Sequence, residues 1–596
     1  MGSDKPIRIG CYSAFWGDSV TAAEQLVRLE KGALDYLVGD YLSEVTIGLL
    51  ARNRNQKATE RKNLKGASES GYISEFITHV LRPLLHQIVK YNIKIVTNAG
   101  GLDPLACKSA IENLVKDFNL ESKVIVAAVT GDDILDKVNN DDELLKFTHI
   151  QGNSEDTEWF PLRDKKVISL NTYLGAIPIV NALKSGANIV VTGRCVDSAL
   201  VLGPLIHEFM WNPHNDWDLL ASGSLAGHII ECGCQATGGN FTDWKESVFS
   251  PGGGWNNMGY PIIECFKSGE FFVTKPKDTG GLVTPATVGE QMVYEILDPG
   301  AYILPDVILD LRDVKLKQVG DNKVLVTGAK GRAPTKYLKV SGIYLDGFKM
   351  TGQLVIGGID AWKKAAAVAH AILMKTRVLF EKHNLGKYRD VNVEVLGAEH
   401  TYGGHAKTRN TREVVLNITV HHDKLEAVKI FGMELAPSAT SMAPGIAGSG
   451  LGRPHPSPCL VHFARLISKD SVSSFVIVGN KSAEKVTFDG PTHNDNIIPP
   501  PLPLSEILNE MDYEIDSGIM IKVPLIKLAW GRSGDKGDVC NIGILAREPK
   551  YYPLLRNSLT EEAVKDYMIH LCRGVVKRYE LPGCNGLNFV LTKCLG

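Results

Sequence analysis

The fold is decided by a strand–loop–helix unit, which residues 93–118 show in full: IKIVTNAGGLDPLACKSAIENLVKDF. The β-branched run Ile93–Thr97 is typical of a buried strand. A polar, glycine-containing loop follows at Asn98–Asp103, and apolar residues then recur at helical spacing over Leu105–Phe118. Strand, loop and helix in this order predict a βα unit of a parallel sheet covered by helices.

The same alternation runs through the first 200 residues. Further strands are predicted at Ile7–Ser13, Leu34–Val38, Val124–Val129 and Asn188–Thr192, and further helices at Thr21–Leu29 and Tyr72–Lys90. Polar loops that contain glycine follow several of these strands, as at Gly17-Asp18, Gly131–Asp133 and Gly193-Arg194. Because ligands of parallel α/β folds bind at the carboxyl ends of the strands, we expect these loops on one rim.

Composition excludes several classes of protein. The chain has 596 residues and a net charge of −2, which gives no electrostatic attraction to nucleic acid or to an anionic membrane. No apolar run approaches the roughly 20 residues that a membrane span needs. The 11 cysteines are scattered and the first residues enter a predicted strand directly, so we expect reduced thiols and no leader. A cytoplasmic protein without nucleic-acid or membrane partners is predicted.

Changes of pattern along the chain predict an α/β protein with four regions. These are an α/β domain of parallel βα units with Gly-rich loops at 1–300, an α+β domain at 301–498, a Pro-rich linker at 499–522 and a small α+β domain at 523–596. Regular periodicity fades from about Ala221 to Gly300, and loops are predicted there. A long helix is predicted over Trp362–Lys382 in the second domain.

The segment that concentrates most chemistry is IKLAWGRSGDKGDVCN, residues 526–541. A short apolar run that ends at Trp530 is predicted to lead into a loop with three glycines, GRSGDKGD, and a second apolar run begins at Ile542. Under one interpretation Asp535 and Asp538 cap the loop, while Arg532 and Lys536 form surface ion pairs. Under the other, Arg532 and backbone amides hold a carboxylate or phosphate group and Asp538 fixes the guanidinium. The sequence favours neither.

Acid, amide and guanidinium groups elsewhere are further candidates. Arg194 and Asp197 follow a predicted strand, where they form either a structural ion pair or a site that faces an anionic substrate. Glu231 has glycines nearby that let a substrate come close, and it is a candidate general acid or base. Asn98 and Gln235 carry amides that are able to polarise a carbonyl oxygen.

A metal site is a weaker hypothesis. Glu399, His400 and His405 lie within seven residues after a predicted strand. A carboxylate beside two histidines either binds a divalent ion or forms a polar, hydrogen-bonded turn. Metal-dependent hydrolysis is the function that the first of these interpretations predicts.

Several ordered segments together resemble the acyclic terpene utilisation family, the AtuA-type proteins. They are Val96–Gly100, Val191–Pro204, Glu231–Gly239, Thr274–Pro276 with Thr279–Thr284, and Arg532–Asp538. The resemblance implies a large N-terminal region followed by a small ferredoxin-like domain. It also implies a final helix and strand after Leu587–Leu591 that this chain lacks, so we expect an incomplete small domain. Breakdown of branched acyclic terpenoids and similar acids through CoA thioesters is the function it implies.

Two functions are carried forward. The first is an enzyme, a lyase or a hydrolase, that acts on a branched carboxylate or acyl-CoA, with CoA present only as part of the substrate and no other cofactor identified. Arg194 and Arg532 would bind anionic groups, with Asp535, Lys536 and Asp538 beside them, and Glu231 or Asp197 would move the proton. The second is a non-catalytic subunit that binds acyl-CoA or associates with a carboxylase. A homo-oligomer is compatible with both.

Overall fold

The computed structural model describes residues 5–60, 71–140, 147–148, 165–448, 452–488, 490–492 and 521–595. The chain forms two compact units. Unit 1 contains Met1–Pro161, Ile168–Gly342 and Phe463–Gly596, and unit 2 contains Leu162–Val167 and Ile343–His462. Most of the predicted Pro-rich linker, including Pro499–Pro503, lies outside the described residues. The predicted domain boundaries therefore stay predictions.

The strands are numbered in chain order. They are β1 Ile7–Cys11, β2 Tyr36–Gly39, β3 Lys94–Thr97, β4 Val126–Thr130, β5 Phe147–Thr148, β6 Lys166–Thr172, β7 Ile189–Thr192, β8 Ile262–Cys265, β9 Phe271–Thr274, β10 Tyr302–Ile303, β11 Ile308–Asp310, β12 Lys315–Gly320, β13 Lys323–Thr327, β14 Lys330–Arg332, β15 Tyr337–Gly357, β16 Asp390–Leu396, β17 Glu413–His422, β18 Ile446–Gly448, β19 Ser457–Ser468, β20 Ser474–Val478, β21 Glu484–Val486, β22 Ala529–Lys536, β23 Val539–Ala546, β24 Val576–Leu581 and β25 Gly586–Thr592.

The helices are numbered in the same way. They are α1 Ala22–Glu30, α2 Glu44–Glu60, α3 Arg82–Lys90, α4 Pro104–Asp117, α5 Leu135–Asn140, α6 Ile177–Lys184, α7 Ala199–Phe209, α8 Trp217–Glu231, α9 Trp244–Val248, α10 Pro285–Met292, α11 Ala361–Lys382, α12 Leu425–Leu435, α13 Ser438–Ser441, α14 Tyr552–Ser558 and α15 Glu561–Tyr567. Within the described part of the chain, no helix has the length and apolar character needed to cross a membrane.

Unit 1 is built on an 11-stranded open sheet with the order β12-β13-β9-β8-β1-β2-β3-β7-β4-β20-β21. Its centre, β1-β2-β3-β7-β4, is parallel, and antiparallel strands flank it on both sides. Residues of the central strands are almost all buried, as expected for a sheet covered on both faces. All five predicted strands of the first 200 residues are confirmed, and the α/β fold class with them.

Helix α8 corrects one expectation. It lies in the region predicted to be loops, yet it runs from Trp217 to Glu231 and is buried along most of its length. Glycine and other small residues lower its intrinsic helix propensity, but they let neighbouring chain approach closely. A Cβ atom added at Gly227 would lie 2.7 Å from the Cα of Ser198. Close packing therefore stabilises a helix that local sequence signals do not indicate.

The end of the chain forms a four-stranded antiparallel sheet, β22-β23-β25-β24, with α14 and α15 between its two hairpins. The prediction of a loop at residues 531–538 is wrong, because most of this segment belongs to β22. Gly537, at a φ of 62°, makes the tight turn into β23. Gly534 instead allows close packing, since an added Cβ atom would lie 2.5 Å from the backbone nitrogen of Glu295.

This C-terminal sheet packs on the end of helix α10 within unit 1. Asn588 Nδ2 donates to the carbonyl oxygens of Ile296 and Leu297, both at 2.8 Å. Asn541 Nδ2 donates to Val293 O at the same distance. Buried amides that bond backbone carbonyls hold the sheet in a defined position against the helix end.

Unit 2 has its own sheet, in which the strand order is β16-β17-β15-β19. Along the chain its main elements follow as β15, α11, β16, β17, α12 and β19, with the short elements α13 and β18 between α12 and β19. This βαββαβ succession is typical of a ferredoxin-like fold. The buried faces of α11 and α12 pack with alternating residues of β17 to form its core. The predicted long helix is confirmed as α11.

Candidate active site

Two neighbouring strands of the parallel sheet end in polar side chains that bond to each other. Asp40 follows β2, Asn98 follows β3, and both are buried. Asn98 Nδ2 donates to Asp40 Oδ1 at 2.6 Å, and Asn98 Oδ1 accepts from the backbone N–H of Tyr41 at 2.7 Å. Burial raises the pKa of Asp40 well above its ordinary value, and the carboxylate of Asp197 acts in the same direction. Asp40 therefore favours its protonated form.

Arg194 follows β7 and is buried beside these two strand ends. Its Nη1 donates to Cys195 O at 2.9 Å and also to the carboxylate of Asp197. The guanidinium carbon lies 4.1 Å from the centre of the Tyr173 ring, within cation–π distance. Among the described residues, Arg194 Nε has no hydrogen-bond partner. Arg194 is thus a buried cation that several contacts hold in place.

Asp132, at the end of β4, positions this arginine through the backbone. Its Oδ2 accepts from the N–H of Arg194 and from Asn171 Nδ2, both at 2.8 Å. A Cβ atom at Gly193 would lie 2.1 Å from Asp132 Oδ1, so glycine is required for this approach. Burial raises the pKa of Asp132 to about 7. Its carboxyl group is an internal support for the turn after β7.

The last turn of helix α8 carries a histidine–carboxylate pair. His228 Nδ1 lies 3.2 Å from Glu231 Oε1, and His228 Nε2 lies 3.2 Å from Met292 O. A carbonyl oxygen only accepts hydrogen bonds, so Nε2 carries a hydrogen. In the neutral imidazole Nδ1 is then bare, and its contact with Glu231 needs one shared proton. The pair holds that proton either as a carboxylic acid or as an imidazolium.

The pKa values of the pair agree with proton sharing. Burial raises the pKa of Glu231 to about 7, although the hydrogen bond from His228 opposes this. Burial favours the neutral form of His228, but the contact with Glu231 raises the pKa of the imidazole overall. Such coupled groups titrate as a unit. The pair is therefore poised to take up or release a proton near neutral pH.

Cations reach the same place from elements that are distant in sequence. Lys339 on β15 donates to Glu44 Oε1 at 3.1 Å, and the Tyr173 hydroxyl donates to the same oxygen at 2.6 Å. Burial disfavours the Glu44 carboxylate, yet Lys339, Lys536 and Arg194 hold its pKa well below the usual range. Glu44 is therefore ionised, and several positive charges surround it.

The C-terminal sheet contributes Lys536, on β22, to this group of side chains. Lys536 pairs with Glu295, and its charge also acts on Glu44, Tyr173 and Asp197. Burial disfavours its ammonium form, but these acids raise its pKa well above the ordinary value. A permanent cation from the end of the chain thus joins the side chains at the strand ends.

Together these side chains form what we call the strand-end cluster. Its members all belong to unit 1: Asp40, Glu44, Asn98, Tyr173, Arg194, Asp197, His228, Glu231, Glu295, Lys339 and Lys536. The side chains of the acids and lysines in its four ion pairs keep between 12% and 37% of their exposure. Asn98 and Arg194 are buried beneath them. The cluster is therefore open to water on one side.

Two protein-family models match the chain. The model of the acyclic terpene utilisation family AtuA matches residues 7–478, and that of the AtuA ferredoxin-like domain matches residues 523–596. The chain belongs to the AtuA family. No curated protein and no solved structure matches it.

The structure of this AtuA family member brings five predicted site residues into the cluster: Asn98, Arg194, Asp197, Glu231 and Lys536. The side-chain amide of Asn98 donates to Asp40 and accepts from the backbone N–H of Tyr41, so Asn98 holds Asp40 in place. Gln235 lies one turn beyond Glu231 in the short 3-10 helix Gly233–Thr237. Its Oε1 is buried and has no hydrogen-bond partner among the described residues.

Three predicted residues of the β22–β23 hairpin lie elsewhere. Arg532 is buried, donates to Asn240 O at 3.1 Å and has its guanidinium carbon 4.7 Å from the centre of the Tyr294 ring. Asp535 points to the opposite, exposed side of β22, and Asp538 is exposed at the turn, where it accepts from Leu595 N–H at 3.0 Å. Strand alternation places Asp535 on the face of β22 opposite Arg532 and Lys536. The hypothesis that Arg532 holds an anion and that Asp538 fixes its guanidinium stays a prediction.

The predicted metal ligands of this AtuA protein belong to unit 2. Glu399 precedes the short 3-10 helix His400–His405, and its Oε2 accepts from the N–H groups of Lys407 and Thr408. In the part of the chain that the structure describes, no group of three or more His, Cys, Asp or Glu side chains is arranged to hold a metal ion. These hydrogen bonds agree with the interpretation of Glu399 as part of a polar turn, and the metal hypothesis gains no support.

The sequence interpretation missed six members of the cluster: Asp40, Glu44, Tyr173, His228, Glu295 and Lys339. Asp40 carried a usable signal, because it follows a predicted strand in the way Asn98 and Arg194 do. Lys339 carried none, since its partners Tyr173 and Glu44 are 166 and 295 residues away in the chain. Residues brought in by long-range packing leave no local pattern.

Proposed function

We propose that the strand-end cluster is an active site that moves a proton on a carboxylate or acyl-CoA intermediate in the catabolism of acyclic terpenoids or related branched acids. Membership of the AtuA family supports the catabolic setting. One observation carries the chemistry: the buried His228–Glu231 pair shares a proton and titrates near neutral pH. General acid–base catalysis is most effective when the catalytic pKa lies near the working pH.

Positive charge beside this pair favours a reaction in which negative charge develops on the substrate. Removal of a proton next to a carboxylate or thioester carbonyl leaves negative charge on the carbonyl oxygen. Arg194, Lys339 and Lys536 are fixed cations that stabilise such charge, because they need little reorganisation during the reaction. Glu231 would accept the proton, and His228 would orient and charge-balance the carboxylate.

Proton abstraction of this kind is the first step of an elimination, so we favour a lyase. The base takes hydrogen from the carbon beside the carbonyl group, and a leaving group departs from the next carbon. Hydrolysis would instead need a water molecule activated for attack on the carbonyl carbon. The nearby carboxyl group Asp40, which favours its protonated form, is a suitable acid for a departing oxygen.

Hydrogen exchange with solvent tests the proposal without knowledge of the leaving group. The protein is incubated in D2O with a panel of branched carboxylates and their CoA thioesters, and the mass of each compound is then measured by mass spectrometry. We expect deuterium uptake, with or without loss of a group, for at least one compound that raises the melting temperature of the protein. Glu231→Gln should abolish exchange while binding persists.

Glu290→Gln is the matched control. Burial also raises the pKa of Glu290 to about 7, but its oxygens accept from the backbone N–H of Thr242 and lie outside the cluster. This variant should exchange deuterium like the wild type. A ligand that stabilises the protein but never exchanges or changes mass would contradict the enzyme and favour the non-catalytic acyl-CoA-binding subunit.

A further inference from the structure

A second region of unit 1 combines a cavity with buried charge, and the proposed proton-transfer reaction makes no use of it. Two adjoining cavities of about 60 and 260 Å³ share Ile177, Asp306 and residues 486–488 as walls. Lys469 lines the smaller one, while His214 and Lys485 line the larger one. The larger volume is sufficient for a small organic molecule.

Lys469 lies buried at the inner end. Its Nζ donates to Pro305 O at 2.7 Å and lies 3.8 Å from the centre of the Phe488 ring. Burial lowers the pKa of Lys469 to about 8, although the carboxylate of Asp306 opposes this. At pH 8 about half of the Lys469 side chains are therefore uncharged, compared with about 0.4% for an ordinary lysine of pKa about 10.4.

The outer part of the cavity is basic. His214 and Lys485 are exposed where they line it, and the half-buried Asn181 adds an amide to the same lining. Of the described residues that line the two cavities, Asp306 alone carries a carboxylate, and its Oδ2 accepts from the N–H of Ala176 at 2.8 Å. The rim therefore favours a ligand with a negative charge, and the inner end offers an amine.

We propose that this cavity binds a small carbonyl compound that bears a carboxylate, such as a 2-oxo acid, and that Lys469 condenses with its carbonyl carbon. The Lys469 nitrogen forms a bond to that carbon and loses two hydrogens, and the carbonyl oxygen leaves with them as water. The product is an imine, which becomes an iminium on protonation. The face of Phe488 stabilises the positive charge, as it does that of the ammonium group.

Reductive trapping tests this inference on the unmodified full chain. The protein is incubated at pH 8 with glyoxylate as the probe and sodium cyanoborohydride, which reduces an imine to a stable secondary amine, and modified lysines are located by peptide mass spectrometry. Lys275 is the matched internal control, because it is also buried with a lowered pKa but lines neither cavity. We expect labelling of Lys469 to exceed that of Lys275 by about tenfold or more.

Two comparisons complete the test. Propanal, which has the carbonyl group but no carboxylate, should label Lys469 several-fold more slowly than glyoxylate does, and Lys485→Gln should reduce that preference. Lys469→Arg should lose the label while its near-UV circular dichroism stays that of the wild type. Labelling of Lys469 no faster than Lys275 would overturn the imine, and equal rates for propanal and glyoxylate would overturn the carboxylate-bearing ligand. Neither result bears on deuterium exchange at Glu231.

Discussion

Two groups of charged residues in unit 1 use the same residue types for opposite purposes. The strand-end cluster contains acids with raised pKa values and cations that share several partners. The docking group, Asp243, Trp530 and Arg547, instead attaches the C-terminal sheet: Asp243 accepts from two guanidinium nitrogens of Arg547 at 2.6 and 2.7 Å and from the Trp530 indole at 2.7 Å. The Arg547 contact lowers the pKa of Asp243.

This difference teaches how to separate a site from an attachment. In the docking group each charge meets an opposite charge with good geometry, so ionisation strengthens the fold. In the strand-end cluster burial and neighbouring acids raise the pKa of Asp40 and raise that of Glu231 to about 7, so ionisation of these two groups weakens the fold. Removal of the carboxylate should therefore stabilise the protein at Glu231 and destabilise it at Asp243, with opposite dependences on pH.

The largest effect is expected from Arg194→Met. Removal of this buried cation leaves Asp197 without its partner and Asp40 without an attractive charge, so we expect a loss of about 4 kcal/mol in the free energy of unfolding. Urea denaturation at pH 7 measures it. Arg28→Met is the control, because Arg28 forms an exposed ion pair with Glu24 and its loss should cost less than about 0.5 kcal/mol. Equal losses would remove the distinction between buried and surface pairs.

The next effect concerns Glu231 and pH. Its folded pKa of about 7 lies above the unfolded value, so its stabilising contribution is complete below about pH 4 and is lost as the pH rises towards 7. Glu231→Gln should remove this loss and stabilise the protein at pH 8 by up to about 3 kcal/mol. Unfolding curves between pH 4 and 8 measure the slope. A variant with an unchanged slope would show that another group titrates.

Asp243→Asn tests the docking group and should have the opposite sign. The lowered pKa means that its contribution is present above the unfolded value of about 4 and is lost as the pH falls through the folded value. At pH 7 the variant should lose about 2 kcal/mol, because hydrogen bonds to a charged partner are removed. Glu548→Gln, which breaks only an exposed pair with Lys550, should leave the urea midpoint unchanged. An Asp243→Asn variant as stable as the wild type would refute the role of Asp243 in attaching the C-terminal sheet.

The smallest effect is expected from Lys536→Gln. Because Lys536 faces the strand-end cluster, its loss should weaken binding of the stabilising carboxylate or CoA thioester about tenfold, which corresponds to about 1.4 kcal/mol. Isothermal titration calorimetry measures the affinity. Lys577→Gln removes the same charge from exposed strand β24 of the same sheet and should bind like the wild type. If both variants bind equally well, Lys536 does not belong to the ligand site.

Part of this protein could be predicted because local patterns carry it. Runs of β-branched residues located the five central strands, and the rule for parallel strands brought Asn98 and Arg194 to one edge. The same rule would have found Asp40. Three glycines made residues 531–538 resemble a loop, since glycine weakens a strand, whereas Gly534 is there to let Glu295 approach. Helix α8 was missed for a similar reason, because its glycines serve close packing.

The sequence by itself determined the parallel α/β core, the carboxyl edge where polar side chains gather and the family. Short-range spacing is sufficient for these, because strand and helix periodicities are properties of neighbouring residues. Tertiary structure alone decided that Lys339 and Lys536 join Arg194, and that Asp535 and Asp538 do not. Burial and charge then set which carboxyl groups hold protons, and both depend on atoms that are hundreds of residues apart in the chain.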